Sequence, residues 1–317
     1  MSAVPRVSIG IPVFNGENYL DEAIASVRAQ TFDDLEVIVS DNASTDRTGQ
    51  IALDHAASDE RVRYVRNERN LGAAPNYNRA WSEARAPYFK WLAHDDRIAP
   101  DYLSATPDVL DREPDVVLCN TVVDYIDCRG DSIGTYRSVL HEAGVDDPAR
   151  RFAVMVLRSH SCVDFFGLVR RSAMQDSLLH GPFHGADRAF LAQMTLRGRL
   201  VQVDRPLVEM REHEQRYTRV QQKARDRQSW HDSRRNGAIE LPTWRLYREY
   251  LSMLRNEDLP VGARARAYGV LARWWLVNYN ALRVGVDVAA TIAPGLPAMA
   301  ETVRERLFGA PPGHLKN

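Results

Sequence analysis

The adjacent acidic side chains of Asp95 and Asp96 are the residues whose types and spacing most suggest chemistry. Carboxylate oxygens are the ligands that hard divalent cations such as Mg²⁺ and Mn²⁺ prefer. The alternative is a solvated acidic turn before Pro100, and an isolated Asp-Asp pair would favour that alternative. The mostly apolar run over residues 89–92, shortly before the pair, is typical of a buried strand and favours a functional role.

The hydrophobic pattern of the first half of the chain predicts the elements that would position this pair. Strand-length apolar runs occupy residues 7–14, 35–40, 62–65, 88–93 and 116–125. Helical patterns separate them, and the second helix is predicted to begin after Ser44 or Thr45, either of which could cap it. Strands that alternate with helices indicate an α/β fold with a mainly parallel sheet and helices on both faces.

Polar motifs follow four of these strands. Asn15 follows the first, residues 41–42 (Asp-Asn) the second, residues 67–70 the third, and residues 94–96 (His-Asp-Asp) the fourth. In parallel sheets, ligands bind at the carboxyl ends of the strands, where the connecting loops gather. The sequence therefore predicts one binding site to which all four motifs contribute.

Composition and charge exclude several classes of protein. Lys plus Arg number 41 against 42 Asp plus Glu, a net charge of -1, whereas a nucleic-acid-binding protein normally carries a basic excess. Cys119, Cys128 and Cys162 match neither a disulfide framework nor a metal knuckle and are interpreted as thiols in a reducing compartment. No secretory leader and no apolar run of about 18 residues is found, since Arg283 and Asp287 interrupt the longest candidate. We therefore expect a cytoplasmic protein.

The chain changes character near residue 215. Residues 130–148 are rich in Gly, Asp and Ser and are predicted to form a loop, and helical and strand patterns resume over residues 150–212. Beyond Tyr217, Arg, Gln and Trp become more frequent, and three or four helices are predicted. We therefore expect an α/β domain over residues 1–215 followed by a helical region over residues 216–317.

Taken together, the motifs resemble those of family 2 glycosyltransferases in order and spacing, over roughly residues 5–215. They read Ile11-Pro12-Val13-Phe14-Asn15, Ser40 to Asp46, Asn67 to Gly72, and Leu92 to Asp96. The resemblance implies a GT-A fold and an inverting enzyme that moves a sugar from a nucleotide diphosphate donor to an acceptor hydroxyl. UDP- or dTDP-sugars are the expected donors, and Mn²⁺ or Mg²⁺ is the expected cofactor.

A nucleotide-sugar pocket at the strand ends is implied by the same resemblance. Its predicted members are Pro12, Phe14, Asn15, Asp41, Arg69, Asn70 and Asp95. A carboxylate such as Asp41 can accept a hydrogen bond from a ring N–H of uracil or guanine, but it could also shape a turn or cap a helix. The candidates for phosphate contact are Arg69, Arg79, Arg216 and Arg219, although most single arginines only solvate a surface.

Residues 94–96 resemble the DXD-type motif of the family. Asp96 matches the position that contacts the metal, and Asp95 matches the position that contacts ribose or the donor sugar. His94 stands where an acidic or small residue is common, so the number of protein ligands stays open. Residues 210–213 resemble the Arg-x-His element after the last strand, where His213 could meet the diphosphate or the metal or lie on a surface loop.

Residues 184–188 resemble the family's site for the base that takes a proton from the acceptor hydroxyl. The family commonly has an acidic pair there. In this chain Ala186 stands at the first position, so the resemblance leaves Asp187 alone as the base. An Asp in the first turn of a helix is also favourable in itself, because it interacts with the helix dipole.

The last third of the chain combines tryptophan with arginine. The residues concerned are Trp230, Trp244, Trp274, Trp275, Arg264, Arg266, Arg273 and Arg283. The combination predicts either an amphipathic helix at the inner face of a membrane, or packing against the catalytic domain or a second copy of the chain. This region would also shape the acceptor site.

Alternative functions stay open at this point. A polyprenyl-phosphate sugar synthase transfers to a phosphate and needs no general base, so loss of Asp187 would leave it active. A non-catalytic nucleotide-sugar-binding or scaffold protein could keep the same fold, and Ala186 and His94 are the departures that favour it. The acceptor of a transferase would be a glycan, a lipid-linked sugar or a small natural product.

Overall fold

The computed structural model describes residues 4–214 and 241–292, so Arg216, Arg219 and Trp230 lie outside the described residues. The strands are β1 (Val7–Val13), β2 (Leu35–Asp41), β3 (Val62–Arg66), β4 (Tyr88–Trp91), β5 (Arg97–Ile98), β6 (Val116–Ile126), β7 (Ser132–Tyr136), β8 (Leu168–Arg170) and β9 (Arg199–Arg211). The helices are α1 (Leu20–Arg28), α2 (Thr48–Ser58), α3 (Ala73–Ser82), α4 (Tyr102–Arg112), α5 (Pro148–Leu157), α6 (Arg171–Met174), α7 (Ala186–Arg197), α8 (Pro242–Asn256), α9 (Val261–Trp274) and α10 (Asn280–Ile292).

The strands form one sheet in the order β3-β2-β1-β4-β8-β6-β9-β5, and β7 also pairs with β6. β1 is parallel to β2 and β4, β2 is parallel to β3, and β6 is parallel to β9. The short strands β5, β7 and β8 run antiparallel to their neighbours. The predicted α/β architecture with a mainly parallel sheet is confirmed.

Two hydrophobic cores, one on each face of the sheet, explain the apolar runs of the central strands. β1 and β2 are buried at every residue. In β2, Val37 and Val39 belong to the core that contains Ile24 of α1, whereas Ile38 belongs to the core that contains Phe190 of α7. Because successive strand residues point to opposite faces, a strand covered on both sides needs apolar residues throughout.

The structure differs from the predicted elements in the second half of the sheet. Residues 130–148, predicted as a loop, contain β7, whose residues are mostly exposed and therefore show no apolar alternation. The separate runs over residues 200–203 and 206–208 belong to the single strand β9. Its pairing with β6 shifts in register next to Pro206, which lacks the N–H that a regular ladder requires.

The C-terminal helices pack onto the α/β part of the chain. Tyr250 and Leu254 of α8 and Trp274 of α9 share a core with Phe152 of α5 and Phe190 of α7. The rings of Tyr250 and Phe152 meet edge to face, with their centroids 5.8 Å apart. Within residues 4–214 and 241–292, the helices are all too short or too polar to cross a bilayer.

Candidate active site

Hydrogen bonds join the loop after β1 to the loop after β2. The backbone nitrogen of Asn15 donates to Oγ of Ser44 at 2.9 Å, and that of Gly16 donates to Oγ1 of Thr48 at 2.8 Å. In return, the backbone nitrogen of Thr45 donates to Oδ1 of Asn15 at 2.9 Å. Asn15 has a φ of 50°, a left-handed conformation that Asn adopts more readily than most residues. Since Ser44 and Thr45 join the two loops, α2 begins only at Thr48.

The remaining predicted pocket residues of β1 differ in accessibility. Phe14 is 44% exposed at the end of the strand, so its ring is available to a ligand. Pro12 is buried within the strand, opposite Ser40 of β2. Pro12 therefore shapes the end of β1 and presents no surface of its own.

Asp41, at the end of β2, has a fully buried side chain that already accepts three hydrogen bonds. Its Oδ1 accepts from the backbone nitrogen of Ser44 at 2.8 Å. Its Oδ2 accepts from the Tyr64 hydroxyl at 2.6 Å and from Nη1 of Arg66 at 2.7 Å. A carboxylate offers about four acceptor positions, so one remains for a ligand N–H. The Arg66 side chain that contacts this carboxylate is 47% exposed.

Asn70 belongs to a network of side-chain amides behind the strand ends. Nδ2 of Asn42 donates to Oδ1 of Asn70 at 2.9 Å, and Nδ2 of Asn67 donates to Oδ1 of Asn42 at 3.0 Å. Oδ1 of Asn76 accepts from Asn67 at 3.0 Å and from Oγ of Ser40 at 2.8 Å. The network holds the polar motif after β3 against the motif after β2, because buried amides need partners.

A cleft of about 460 Å³ opens beside this network and is lined by Asn67, Glu68, Arg69, Leu71 and Arg79. Arg69 is exposed there. Arg79 is directed inward, since its Nη1 donates to Oδ1 of Asn67 at 2.6 Å. Arg69 is therefore more accessible to a phosphate ligand than Arg79, the other arginine predicted to contact phosphate in this part of the chain.

The two carboxylates at the end of β4 lie in different environments. Asp96 is 4% exposed, and its Oδ1 accepts from the backbone nitrogen of Arg211 at 2.9 Å. Asp95 is partly exposed, and its Oδ2 lies 2.9 Å from Nε2 of His213. The residues predicted to surround a metal thus lie together at this edge of the sheet, although they are separated by more than a hundred positions in the chain.

His94 packs against the loop after β1. A Cβ atom on Gly16 would lie 2.5 Å from Cδ2 of His94 and 2.5 Å from Cγ2 of Val13, so glycine is required for this contact. The imidazole of His94, which directly precedes the acidic pair, therefore packs against the loop that carries Asn15. This contact gives His94 a packing role at the position where an acidic or small residue was expected.

Arg211, the arginine of the Arg-x-His element, to which the sequence reasoning gave no role of its own, joins several parts of the site through a fully buried side chain. Its Nη2 lies 2.6 Å from Oε2 of Glu22, and its Nε donates to the carbonyl oxygen of Asp95 at 3.1 Å. Its guanidinium carbon lies 4.4 Å from the centroid of the Tyr19 ring, and His213 packs against the same ring at 5.1 Å. The sequence offered one signal, an arginine at the end of a strand and two positions before a candidate ligand.

Asp187 lies in the first turn of α7. Gly185 precedes the helix with a φ of 88°, a conformation that favours glycine. Oδ1 of Asp187 accepts from the backbone nitrogen of Arg188 at 2.8 Å, and the residue is partly exposed. The side chain therefore has a structural partner and is still reachable from outside.

Tyr77 of α3, which the sequence reasoning missed, interacts electrostatically with Asp187 and with the acidic pair. Burial raises the pKa of Tyr77, and the nearby carboxylates of Asp95, Asp96 and Asp187 raise it further. The Tyr77 side chain therefore lies within electrostatic reach of all three carboxylates. Its ring packs against His180, with centroids 4.7 Å apart. A tyrosine on an amphipathic helix looks like any core residue in the sequence, so no local signal could have identified it.

The carboxylates fit a metal that is shared with a ligand. Across the part of the chain that the structure describes, no group of three or more His, Cys, Asp or Glu side chains could hold a metal alone. Mg²⁺ is commonly held by one or two carboxylates, with substrate phosphates and water completing its shell. Asp96 and Asp95 can supply that partial set, and His213, next to Asp95, could add a nitrogen.

Known proteins share the first half of the chain. The family model described as "Glycosyl transferase family 2" matches residues 8–178. An uncharacterized glycosyltransferase of Rickettsia typhi is 38% identical over 108 residues, which make up 34% of this chain and 33% of that protein. The putative glycosyltransferase EpsH of Bacillus subtilis is 32% identical over 123 residues, 39% of this chain and 36% of that protein. The matches thus span about a third of the length of these curated relatives.

Solved structures share the fold over most of the chain. S. aureus TarS 1-349 in complex with UDP-GlcNAc has a TM-score of 0.62 at 18% identity, over 86% of this chain and 73% of that chain. The mannosyltransferase PcManGT from Pyrobaculum calidifontis, in complex with GDP-Man and Mn²⁺, has a TM-score of 0.54 at 16% identity, over 97% and 82%. At such identities the likeness shows the fold alone, and it is the predicted GT-A fold. Because the family model covers more than half of the 317 residues, the chain belongs to glycosyl transferase family 2.

Proposed function

We propose that the protein transfers a sugar from a nucleotide diphosphate donor, a UDP- or dTDP-sugar, to an acceptor hydroxyl with inversion at the anomeric carbon. The observation that carries this proposal is the meeting of the acidic pair with the end of β9: Oδ1 of Asp96 accepts from the backbone nitrogen of Arg211 at 2.9 Å, and Oδ2 of Asp95 lies 2.9 Å from Nε2 of His213. Asp187 comes from a distant segment, and its carboxylate raises the pKa of Tyr77 together with those of Asp95 and Asp96. An inverting transfer needs a site for the departing diphosphate next to a base for the acceptor, and these carboxylates can supply both.

The nucleotide would bind at the ends of β1, β2 and β3. The free acceptor position on Asp41 would take a ring N–H of the base, after the half-exposed side chain of Arg66 moves aside. Phe14 and Asn15 would line the pocket, and Arg69 would contact phosphate from the cleft that also contains Asn67. Two structural neighbours have bound nucleotide sugars, UDP-GlcNAc in TarS and GDP-Man in PcManGT, which supports a nucleotide-sugar donor here.

Asp96 would hold a divalent cation, Mn²⁺ or Mg²⁺, with Asp95 and His213 beside it. The cation would supply positive charge to the departing diphosphate. The backbone nitrogen of Arg211 donates to Oδ1 of Asp96 at 2.9 Å and fixes the position of this carboxylate. The Mn²⁺ in the PcManGT complex supports this choice of metal.

Asp187 would act as the base. Its carboxylate would take the proton from the acceptor hydroxyl while that oxygen forms a bond to the anomeric carbon. The bond between this carbon and the diphosphate oxygen breaks at the same time, and the electron pair leaves with the diphosphate. The catalytic domain in this proposal covers residues 1–215, and the helical region from 216 onward shapes the acceptor site, which takes a glycan, a lipid-linked sugar or a natural product.

The proposal is tested by incubating the purified protein with UDP-, dTDP- and GDP-sugars, with Mn²⁺ or with EDTA. We expect one nucleotide class to release its diphosphate slowly to water, and only with Mn²⁺. Release without added metal that is unchanged by EDTA would refute the metal site. No release from any donor, even with simple sugar acceptors present, would favour the non-catalytic alternative.

A further inference from the structure

A tyrosine of the C-terminal helices has a buried hydroxyl group without a hydrogen-bond partner. The side chain of Tyr250 on α8 has no exposed surface, and its hydroxyl makes no hydrogen bond within residues 4–214 and 241–292. An unpaired polar group inside a protein is destabilising, and most buried polar atoms therefore have a partner. Phenylalanine would fill the same space without this disadvantage. The presence of the hydroxyl therefore indicates a role other than packing.

Aromatic side chains of two other helices fix the ring of Tyr250. The ring meets Phe152 of α5 edge to face, with centroids 5.8 Å apart, and Trp274 of α9 at 6.4 Å. Both neighbours are buried in the same core as Phe190 of α7. The hydroxyl hydrogen can rotate about the C–O bond, but the oxygen cannot move without displacing the core. The oxygen therefore has a defined position where α8 packs on α7.

The first turn of α7 and the nearby Cys162 place polar groups within electrostatic reach of the Tyr250 hydroxyl. Burial raises the pKa of Tyr250, and the Arg188 guanidinium lowers it to a smaller extent. The Cys162 thiol and the Asp187 carboxylate raise it further. The phenol therefore stays protonated, and its O–H can donate. Arg188 offers only donors and a thiol is a weak acceptor, so Asp187 is the strong acceptor among these three groups.

Arg188 and Cys162 have hydrogen-bond partners of their own. Nη1 of Arg188 lies 3.0 Å from Nε2 of His160, and Nη2 donates to the carbonyl oxygen of His160 at 2.9 Å. Burial raises the pKa of the Cys162 thiol, and a hydrogen bond with Asp187 is among the interactions that raise it further. These contacts hold the first turn of α7 against residues 160–162. The Tyr250 hydroxyl is the member of this cluster that has no hydrogen bond within the described residues.

We propose that Tyr250 is a positioning residue for Asp187, so that α8 of the C-terminal helical region completes the catalytic centre. This role rests on the proposed function, in which Asp187 is the base. Oδ1 of Asp187 accepts from the backbone nitrogen of Arg188 at 2.8 Å, and a carboxylate has positions for further donors. Hydrogen bonds of catalytic groups often shorten when a substrate binds. The Tyr250 hydroxyl then donates to the carboxylate and orients it towards the acceptor.

A purely structural role is the competing explanation for Tyr250. The contacts with Phe152 and Trp274 are made by the ring. Tyr250→Phe keeps these contacts and removes only the unpaired hydroxyl, so this variant should unfold at the same temperature as the wild type or at a slightly higher one. A structural role therefore predicts unchanged turnover, whereas a positioning role predicts a loss of turnover in a fully stable protein.

Release of nucleoside diphosphate from UDP-glucose, UDP-N-acetylglucosamine and dTDP-glucose tests this role. The full-length protein is assayed with Mn²⁺, in water alone and with methyl glucoside as the acceptor. We expect Tyr250→Phe to lower kcat about tenfold or more, the equivalent of one hydrogen bond to a charged group, with KM and diphosphate binding unchanged. Tyr102→Phe on α4 is the matched control, because it removes a hydroxyl that is also buried but lies in the other core. This control should turn over like the wild type.

The same substitution in an Asp187→Asn background shows whether the hydroxyl acts through the base. We expect Tyr250→Phe to cause no further loss there, because the hydroxyl has no carboxylate to orient. Wild-type kcat in Tyr250→Phe, or an equal loss in both backgrounds, would overturn the role of Tyr250 and leave the proposed function intact. A loss accompanied by a lower melting temperature and weaker diphosphate binding would do the same. Full turnover by Asp187→Asn would instead refute Asp187 as the base, and the role of Tyr250 with it.

Discussion

The backbone nitrogen of Arg211 donates to Oδ1 of Asp96 at 2.9 Å, across 115 positions of the chain. The side chain of Arg211 also donates to the carbonyl oxygen of Asp95 and lies 2.6 Å from Glu22. Arg211, at the end of β9, therefore fixes both members of the acidic pair through these hydrogen bonds. Any ligand that binds these carboxylates meets a surface whose geometry is set by Arg211.

We predict that Arg211→Met lowers the free energy of unfolding by at least about 2 kcal/mol, because charged hydrogen bonds to a buried group are lost. The variant should also need more Mn²⁺ for half-maximal donor turnover, since the loop with Asp95 and Asp96 is released. Arg211→Lys should recover part of the stability, because a lysine can still reach Glu22. Urea denaturation and a Mn²⁺ titration measure the two effects.

Arg112→Met, at a side chain that is 79% exposed, is the control for the substitution of Arg211. A stable variant with unchanged metal dependence would show that Arg211 has no positioning role.

Gly16 and Gly269 make a matched pair for testing the contact with His94. A Cβ on Gly16 would lie 2.5 Å from both His94 and Val13, whereas a Cβ on Gly269 of α9 has no atom within 4 Å. We expect Gly16→Ala to cost about 1–3 kcal/mol, the usual range for overpacking. Gly269→Ala should stabilise the protein by up to about 1 kcal/mol, because alanine is the better helix former. Thermal unfolding of both variants measures this, and equal melting temperatures would argue against close packing of His94 on the loop.

Asp187→Asn should lower transfer to an acceptor hydroxyl by about 10²–10⁴-fold, the usual contribution of a general base. Oδ1 of the asparagine can still accept from the backbone nitrogen of Arg188, so the start of α7 should stay intact. Binding of the nucleoside diphosphate should be unchanged. Steady-state transfer and diphosphate binding are measured for this variant and for Asp258→Asn, at an exposed residue after α8. Full transfer by Asp187→Asn would favour a phosphate acceptor, as in a polyprenyl-phosphate sugar synthase.

The stability of the protein should depend on pH through Asp164. This side chain is fully buried and accepts from Nδ2 of Asn120 at 2.9 Å, and burial raises its pKa from 3.8 to about 6. A raised pKa in the folded state contributes stability that is complete below pH 3.8 and is lost as the pH rises through about 6. The shift corresponds to about 3 kcal/mol.

Asp164→Asn cannot titrate and therefore provides the comparison. The free energy of unfolding of the wild type, measured relative to this variant, should fall as the pH rises from acid to neutral. Urea denaturation at several pH values gives both curves. Parallel curves would mean that Asp164 keeps an ordinary pKa in the folded protein.

Local patterns were sufficient to predict the edge of the sheet where the polar motifs lie. The strands β1, β2 and β4 are buried at every residue, so they were visible in the sequence as mostly apolar runs, and the polar residues after them could be assigned to one edge. The same reasoning missed β7, since its exposed residues carry no apolar alternation. It also predicted α2 too early, because Ser44 and Thr45 bind the loop after β1.

Long-range contacts explain why the partners of Arg211 and the position of Tyr77 could not be predicted. Arg211 meets Glu22 across 189 positions of the chain, and nothing in its immediate sequence indicates this partner. Tyr77 is an aromatic residue on an amphipathic helix and resembles a core residue in every local respect. Residues of this kind are recognised only when the fold brings their partners together.

Stabilisation by nucleoside diphosphates tests the central claim most directly. Thermal unfolding is measured with UDP, dTDP, GDP, CDP and ADP, each with Mn²⁺ and with EDTA, for the wild type, Asp96→Ala and Asp96→Asn. Asp96→Asn keeps Oδ1 as an acceptor for Arg211 and so controls for a loss of packing. We predict that UDP or dTDP stabilises the wild type by about 2.7 kcal/mol at a hundredfold excess over Kd, and that EDTA or either variant abolishes the effect. A wild-type protein that no diphosphate stabilises, with or without metal, would contradict the proposed donor site.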